Sequence, residues 1–181
     1  ADNQRYLPIE QSVEGDYSNA AFIEALNLIG GDVSVTGLST DSYQGDKMYR
    51  TYFREMVSGS PTLDIRDCPD LAPILMTMGA ALHGVRLQGT RRLKIKESDR
   101  GVVMAQELVK FGADITLCDD EIIVHRTDLH KPTQTLDGHN DHRIVMSLAI
   151  LATKYGGEIV GSQAVSKSYP HFFDMLNSVG I

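Results

Sequence analysis

Residues 70–84, DLAPILMTMGAALHG, decide the fold of this chain. They open with an aspartate, continue through an almost wholly apolar stretch and close at a glycine. A helix that is hydrophobic on nearly every side must be surrounded by protein. The stretch from Leu71 to Leu82 therefore predicts a helix inside the fold rather than on its surface.

Two further stretches follow the same plan, DYSNAAFIEALNLIGG from Asp16 and DHRIVMSLAILATKYGG from Asp141. The closing glycine comes 14 to 16 residues after the aspartate in all three copies. After each glycine the sequence gives a strand-like stretch (DVSVTG, VRLQG or GEIVG), a polar loop and an amphipathic helix. Those second helices are predicted near residues 48–57, 100–111 and 172–179.

Three more stretches are predicted strands, namely TLDI at Thr62, DITLC at Asp114 and EIIVHR at Glu121. Each unit then reads βαβαββ, with repeats at about 1–66, 67–126 and 127–181. Repeats that cannot bury their own apolar faces pack against one another around a shared core. The predicted class is α/β (α+β), one domain of three repeats with buried helices and outer sheets.

Composition excludes several functional classes. A net charge of −7 argues against general nucleic-acid binding, and no apolar run is long enough for a membrane span. The opening residues ADNQRYLPIEQ lack a leader pattern, so the expected location is the cytoplasm. Cys68 and Cys118 lack CxxC spacing, which disfavours a disulfide framework or a thiolate metal site.

Positive charge is nonetheless concentrated in one place. Five cations fall within ten residues, at Arg91, Arg92, Lys94, Lys96 and Arg100. They indicate either a site for a small anion or a solvated basic strand and turn.

Arg100 ends the motif KESDR and Arg143 ends the motif NDHR, each at the start of a predicted helix. Cations are unfavourable there unless an anion accompanies them. For Arg143 that anion is either a ligand or an internal carboxylate, Asp141 or Asp99. The three acidic turns at Asp16, Asp70 and Asp141 are all candidate helix N-caps.

The run DCPDLAPIL, the sequence RLKIKESDR, the turn NDHR and the run KSYPHFF, in this order and spacing, resemble 5-enolpyruvylshikimate-3-phosphate synthases. The resemblance extends from about Tyr6 to Ile181 and includes VEGD at Val13 and QGD at Gln44. It implies an inside-out α/β barrel of three βαβαββ units. It also implies that residues 1–181 are the C-terminal, phosphoenolpyruvate-side half of a two-domain enzyme whose N-terminal domain is missing here.

The resemblance further implies a reaction and a set of site residues. The family transfers the enolpyruvyl group of phosphoenolpyruvate to the 5-hydroxyl of shikimate 3-phosphate, without a metal or an organic cofactor. Arg100, Arg143 and Lys167 would hold phosphoenolpyruvate, and Lys96 with Asp70 would face shikimate 3-phosphate. Asp70 is the candidate base on the hydroxyl, and Glu97 is the candidate that moves protons at the methylene carbon.

Two alternatives remain open from the sequence. One is an enolpyruvyl transferase acting on a UDP-amino sugar, which shares fold and chemistry. The other is a binding domain without turnover, which is the expected behaviour of this half alone. His139 and His142 lack a third ligand of suitable spacing, so hydrogen bonding in the turn is predicted for both rather than metal binding.

Overall fold

A computed structural model describes residues 12–180 together with Arg5, Leu7, Pro8 and Glu10. Most of the opening stretch 1–11, on which the leader prediction rests, lies outside the described residues, as does Ile181. The described residues form six α-helices: Tyr17–Leu28 (α1), Tyr49–Ser58 (α2), Ala72–Ala81 (α3), Arg100–Val109 (α4), His142–Tyr155 (α5) and Phe172–Ser178 (α6). They also form six strands: Thr62–Asp64 (β1), Val85–Gln88 (β2), Asp114–Leu117 (β3), Glu121–His125 (β4), Leu136–Asp137 (β5) and Ile159–Val160 (β6).

The three predicted core helices are α1, α3 and α5, and they pack against one another. Residues 72–80 of α3 and 142–151 of α5 are all buried, which confirms the prediction from their apolar composition. The second helices α2, α4 and α6 begin and end within two residues of the predicted ranges.

One sheet of four strands has the order β1-β2-β4-β3, with β1 parallel to β2 and the other pairs antiparallel. Val85 and Leu87 of β2 are buried, whereas Arg86 and Gln88, which alternate with them, are exposed. This alternation turns one face of the sheet toward the helices and the other toward solvent. Gly79 of α3 packs directly on the side chain of Val85, so the helix backbone lies against the buried face of the sheet.

The βαβαββ order is complete in the second segment only, where β1, α3, β2, α4, β3 and β4 follow one another. The third segment contributes the parallel pair β5 and β6. The predicted strand DVSVTG is wrong, because the described residues form no strand there. The side chain of Asn27 hydrogen-bonds the backbone of Val33 in place of a neighbouring strand. Its Oδ1 accepts the Val33 N–H and its Nδ2 donates to the Val33 carbonyl, each at 2.8 Å.

The first segment also lacks a hairpin after its second helix, since α2 leads through Gly59 directly into β1. β1 lies before the predicted repeat boundary at residue 66 but pairs with β2, which lies after it. Among the described residues, no helix combines the length and apolar content needed to cross a membrane.

Candidate functional site

Asp70 lies in a short 3₁₀ turn, Pro69–Leu71, that leads into α3. Asp70 is one of the three candidate N-caps, but its carboxylate makes no capping bond there. It contacts three cations instead: Lys96 Nζ at 2.9 Å, Arg100 Nη1 at 2.7 Å and Arg143 Nη2 at 3.2 Å. Burial alone would raise the pKa of Asp70, but Arg143 and the other two cations outweigh it and hold the pKa below its ordinary value.

Arg100 is the first residue of α4 and is 1% exposed. Its Nε donates to Asp141 Oδ2 at 2.9 Å, its Nη1 to Asp70 Oδ1 at 2.7 Å and its Nη2 to Glu97 Oε2 at 2.5 Å. Burial alone would lower the pKa of Arg100. The bonded Asp141 and the other carboxylates outweigh burial and raise the pKa above its ordinary value. All three nitrogens of the guanidinium are thus engaged by carboxylates.

Asp141 is fully buried and caps α5 by accepting the Arg143 N–H at 2.9 Å. It also accepts Ser98 Oγ at 3.0 Å, besides the bond from Arg100. Burial would raise the pKa of Asp141, whereas Arg100 and these hydrogen bonds bring it below the ordinary value. Asp16, another of the candidate N-caps, caps α1 by accepting from Ser18 N and Asn19 N.

Arg143 differs from Arg100 in having free donors. Its side chain is 10% exposed, and the ion pair that it forms within the described structure is to Asp70. Neither of the internal partners left open by the sequence pairs with Arg143, because Asp141 pairs with Arg100 and Asp99 accepts Val102 N as the N-cap of α4. Within the described part of the chain, Arg143 Nε and Nη1 are buried without a hydrogen-bond partner. A guanidinium in this state is suited to receive an anion.

Lys167 ends the 3₁₀ turn Ser162–Lys167, which packs against α5. Its Nζ donates to the backbone carbonyl of Asn140, one residue before the buried Asp141. Lys167 is therefore beside the turn that carries Arg143. The structure brings together Asp70, Lys96, Glu97, Arg100, Asp141 and Arg143, hereafter the charged cluster, and places Lys167 next to it.

Sequence reasoning gave no site role to Asp46, although the QGD motif that contains it had been noted. Asp46 is 8% exposed and accepts the hydroxyl of Ser18 at the start of α1. Burial raises the pKa of Asp46, and the field of Arg143 partly opposes the rise. The first segment thus adds a carboxylate whose charge is coupled to the charged cluster.

The two histidines of the 139–143 turn behave differently. His139 Nε2 lies 3.0 Å from Glu107 Oε1, as hydrogen bonding in the turn predicts. His142 contradicts that prediction at one atom, because its buried Nδ1 has no partner among the described residues. Burial, with Arg143 next in effect, lowers the pKa of His142 below its ordinary value. No group of three potential metal ligands occurs in the part of the chain that the structure describes.

A groove of about 960 Å³ lies away from the charged cluster, between the loop 30–36 and the ends of α1, α5 and α6. It is bordered by apolar residues with Asp32 and Lys154 and contains no member of the charged cluster. Convergent charge and unpartnered donors identify a ligand site more directly than volume does. We therefore take the charged cluster as the candidate site.

Comparisons with known proteins agree on one family. A family model for EPSP synthase (3-phosphoshikimate 1-carboxyvinyltransferase) matches residues 53–176. Curated proteins named 3-phosphoshikimate 1-carboxyvinyltransferase match 98% of the chain, with 34% identity in Clostridium kluyveri, 36% in Clostridium novyi and 34% in Methanocaldococcus jannaschii. The matches cover 46%, 45% and 46% of those relatives, so the chain spans about half their length.

Solved structures show the same fold. Two structures of EPSP synthase from Acinetobacter baumannii superpose with TM-scores of 0.77 and 0.74, at 24% and 22% identity. They cover 93% and 92% of this chain, and the chain covers 46% of each. At this identity the likeness supports a mixed α/β fold of the same kind.

Proposed function

Because this chain belongs to the EPSP synthase family, we propose that it is the half of such an enzyme that binds phosphoenolpyruvate. The complete enzyme would transfer the enolpyruvyl group to the 5-hydroxyl of shikimate 3-phosphate and release phosphate. The observation that carries this proposal is Arg143 beside Arg100, a buried arginine with two donors that find no partner in the described part of the chain. The chain alone, which spans about half of its relatives, is expected to bind phosphoenolpyruvate without turnover.

In this proposal, Arg143, Arg100 and Lys167 hold the carboxylate and phosphate of phosphoenolpyruvate. The planar guanidinium offers paired N–H donors that match either group. Within the described structure, Arg143 has two such donors, Nε and Nη1, that bind no protein group. Arg100 must first release the carboxylate of Asp70 or Glu97 before its donors can bind the ligand. Glu97 is the member of the charged cluster that exchanges most easily, because its side chain is 41% exposed.

Asp70 would accept the proton of the 5-hydroxyl while the hydroxyl oxygen attacks the enol carbon of phosphoenolpyruvate. Three cations now hold the pKa of Asp70 low, which makes it a weak base. An anion that draws Arg100 and Arg143 away from Asp70 would raise that pKa and strengthen the base. Binding of phosphoenolpyruvate would in this way prepare Asp70 for the acceptor hydroxyl, while Lys96 faces the phosphate of shikimate 3-phosphate.

Glu97 would deliver a proton to the methylene carbon during addition and take one from the resulting methyl group during elimination. The second step breaks the carbon–oxygen bond to phosphate, which leaves, and forms the carbon–carbon double bond of the enolpyruvyl ether. Glu97 suits this exchange because it is partly exposed at the edge of the charged cluster and bonds Arg100 Nη2.

We further propose that residues 1–181 form one domain of the family's inside-out α/β barrel, with three βαβαββ repeats, and that a second domain supplies most contacts to shikimate 3-phosphate. Mutual packing of the buried helices α1, α3 and α5 supports the shared core. Tyr43 is fully exposed, and Ile95, directly before Lys96, is 80% exposed. Large exposed apolar side chains on loops of this kind suit a second domain as partner. A cytoplasmic location belongs to this proposal and is supported by the family alone.

The test is a phosphate-release assay with phosphoenolpyruvate and shikimate 3-phosphate. It is run on this chain, on the unmatched half of the Clostridium novyi relative, and on their mixture. Activity in the mixture only, lost in Arg143→Gln, is the expected result. Turnover by this chain alone, or no turnover by halves that co-elute on gel filtration, would contradict the proposal. A UDP-amino sugar as acceptor in a parallel reaction tests the alternative substrate.

A further inference from the structure

Glu107 is a buried carboxylate outside the charged cluster, 2% exposed, on the same helix as Arg100. The two residues are seven positions apart, which is two turns, so they lie on one face of α4. Arg100 on that face binds Asp141. Glu107 contacts the chain segment that immediately precedes Asp141.

The carboxylate of Glu107 binds this segment at two points. Its Oε2 accepts the backbone N–H of Asp137 at 2.8 Å, and its Oε1 lies 3.0 Å from His139 Nε2. Lys110 Nζ neutralises both oxygens, at 2.9 and 2.7 Å, and reaches Thr135 O at 3.0 Å. Among the described residues, the side chains of this ion pair bond only each other and residues 135–139.

The backbone of residues 137–140 includes an unfavourable conformation that other contacts must stabilise. His139 and Asn140 have φ of 47° and 52°, the left-handed region that residues other than glycine rarely adopt. Internal bonds close the turn, from His139 N to Asp137 Oδ1 at 2.7 Å and from Asp141 N to Gly138 O at 2.9 Å. Two successive left-handed residues persist only where the surroundings fix them.

The turn determines where two parts of the anion site lie. The carbonyl of Asn140, inside the left-handed pair, receives Lys167 Nζ. Asp141 follows at once as the cap of α5, and Arg143 occupies the first turn of that helix. A change in the backbone at 139–140 would move the carbonyl that anchors Lys167 and the helix start that carries Arg143.

We propose that Glu107 is a positioning residue for the anion site. By binding Asp137 N and His139 it holds the turn 137–140 in its left-handed conformation, and so fixes Lys167 and Arg143 in register with Arg100. Helix α4 then binds the NDHR region at two points: Arg100 binds Asp141, and Glu107 binds the residues that precede Asp141. The consequence for ligand binding rests on the proposed function; the grip on the turn does not.

The test compares Glu107→Gln with the unsubstituted chain by two readouts. Gln keeps the shape but replaces one acceptor by an amide N–H₂ that faces the donors of Lys110 and His139. Amide exchange at Gly138 and Asp141, whose N–H groups bond Val160 O and Gly138 O, should become at least about tenfold faster. Calorimetric titration with phosphoenolpyruvate should show about tenfold weaker binding, the loss expected for a charge-assisted bond.

Two further variants separate positioning from general loss of stability. Met56→Ala creates a cavity under α2, away from α4, and should lower the melting temperature without changing local exchange at the turn or the affinity. His139→Asn keeps a residue that tolerates left-handed backbone but cannot reach Glu107. Its effect should be smaller than that of Glu107→Gln, and the double variant should be no worse than Glu107→Gln alone.

Unchanged exchange at Gly138 and Asp141 in Glu107→Gln would overturn the grip on the turn. Faster exchange with unchanged affinity for phosphoenolpyruvate would overturn the link to the anion site. Failure of the unsubstituted chain to bind phosphoenolpyruvate would count against the proposed function, while the exchange rates still decide whether Glu107 holds the turn.

Discussion

Arg100 Nε and Asp141 Oδ2 lie 2.9 Å apart although 41 residues separate them, and their side chains are 1% and 0% exposed. This buried ion pair joins the KESDR loop to the NDHR turn. Each partner makes a further contact, since Arg100 also binds Asp70 and Asp141 also caps α5. The two motifs therefore form one structural unit in which the charges that bind a ligand also hold the loops together.

Removal of Arg100 should destabilise the fold severely. Arg100→Met leaves the fully buried Asp141 without its paired cation and removes one of the three cations at Asp70, and breaking a buried pair costs about 3–5 kcal/mol. Urea unfolding should show a loss of that order. Arg91→Met, which breaks the exposed pair with Asp119, should leave stability nearly unchanged. Equal losses in the two variants would show that burial of the pair is unimportant.

Arg143 should matter more for ligand binding than for stability, because two of its donors have no partner among the residues that the structure describes. Arg143→Gln should weaken phosphoenolpyruvate binding by at least about tenfold, and Arg143→Lys should restore little of it because it lacks the planar fork. Titration calorimetry measures both. Arg126→Gln, at an exposed arginine, is the control for lost charge. An equal effect of Arg126→Gln would indicate nonspecific attraction.

Stability should fall between pH 7.5 and 5.5 in part because of His142. Its pKa in the folded protein is lowered from 6.5 by burial, so the unfolded chain takes up a proton first as the pH falls. Stability from the neutral side chain is therefore complete above the unfolded pKa and is lost below it, by up to about 1.4 kcal/mol per pH unit.

Urea unfolding of His142→Gln at several pH values should consequently give a shallower decline than the unsubstituted chain. Exposed His83 provides the matched control, and His83→Gln should keep the original decline. Asp70 and Asp141, with lowered pKa values, lose their stabilising charge only below about pH 4 and do not contribute in this range. Identical pH profiles for His142→Gln and the unsubstituted chain would refute the assignment.

Gly79 allows α3 to touch the sheet, because a Cβ there would overlap Val85 Cγ1. Gly79→Ala should cost about 1–3 kcal/mol through overpacking. Gly59 ends α2 with extended backbone and has open space around it, so Gly59→Ala should be close to neutral. Thermal unfolding of both variants tests this contact; a neutral Gly79→Ala would mean that α3 and β2 can separate without cost.

The sequence predicted the helices best, because burial on every side leaves a plain signature in 71–82 and 144–152. Strands were less certain. DVSVTG alternates like a strand, but alternation does not show whether a neighbouring strand is available for pairing. Here the Asn27 side chain makes the backbone hydrogen bonds that a neighbouring strand would make. In the site, the types of residue were predictable while their pairing was not, since packing rather than spacing joins Arg143 to Asp70. Glu107 was missed because a glutamate on an amphipathic helix resembles a solvated one.

The most direct test of the central claim is an NMR titration of the arginine Nε–H signals of this chain with phosphoenolpyruvate. If the charged cluster is the anion site, the Arg143 Nε–H signal shifts saturably, the Arg100 signal follows as carboxylates are exchanged for the ligand, and exposed Arg126 stays in place. Saturable binding that leaves Arg143 Nε–H unmoved, or no binding at ligand concentrations up to the millimolar range, would contradict the account.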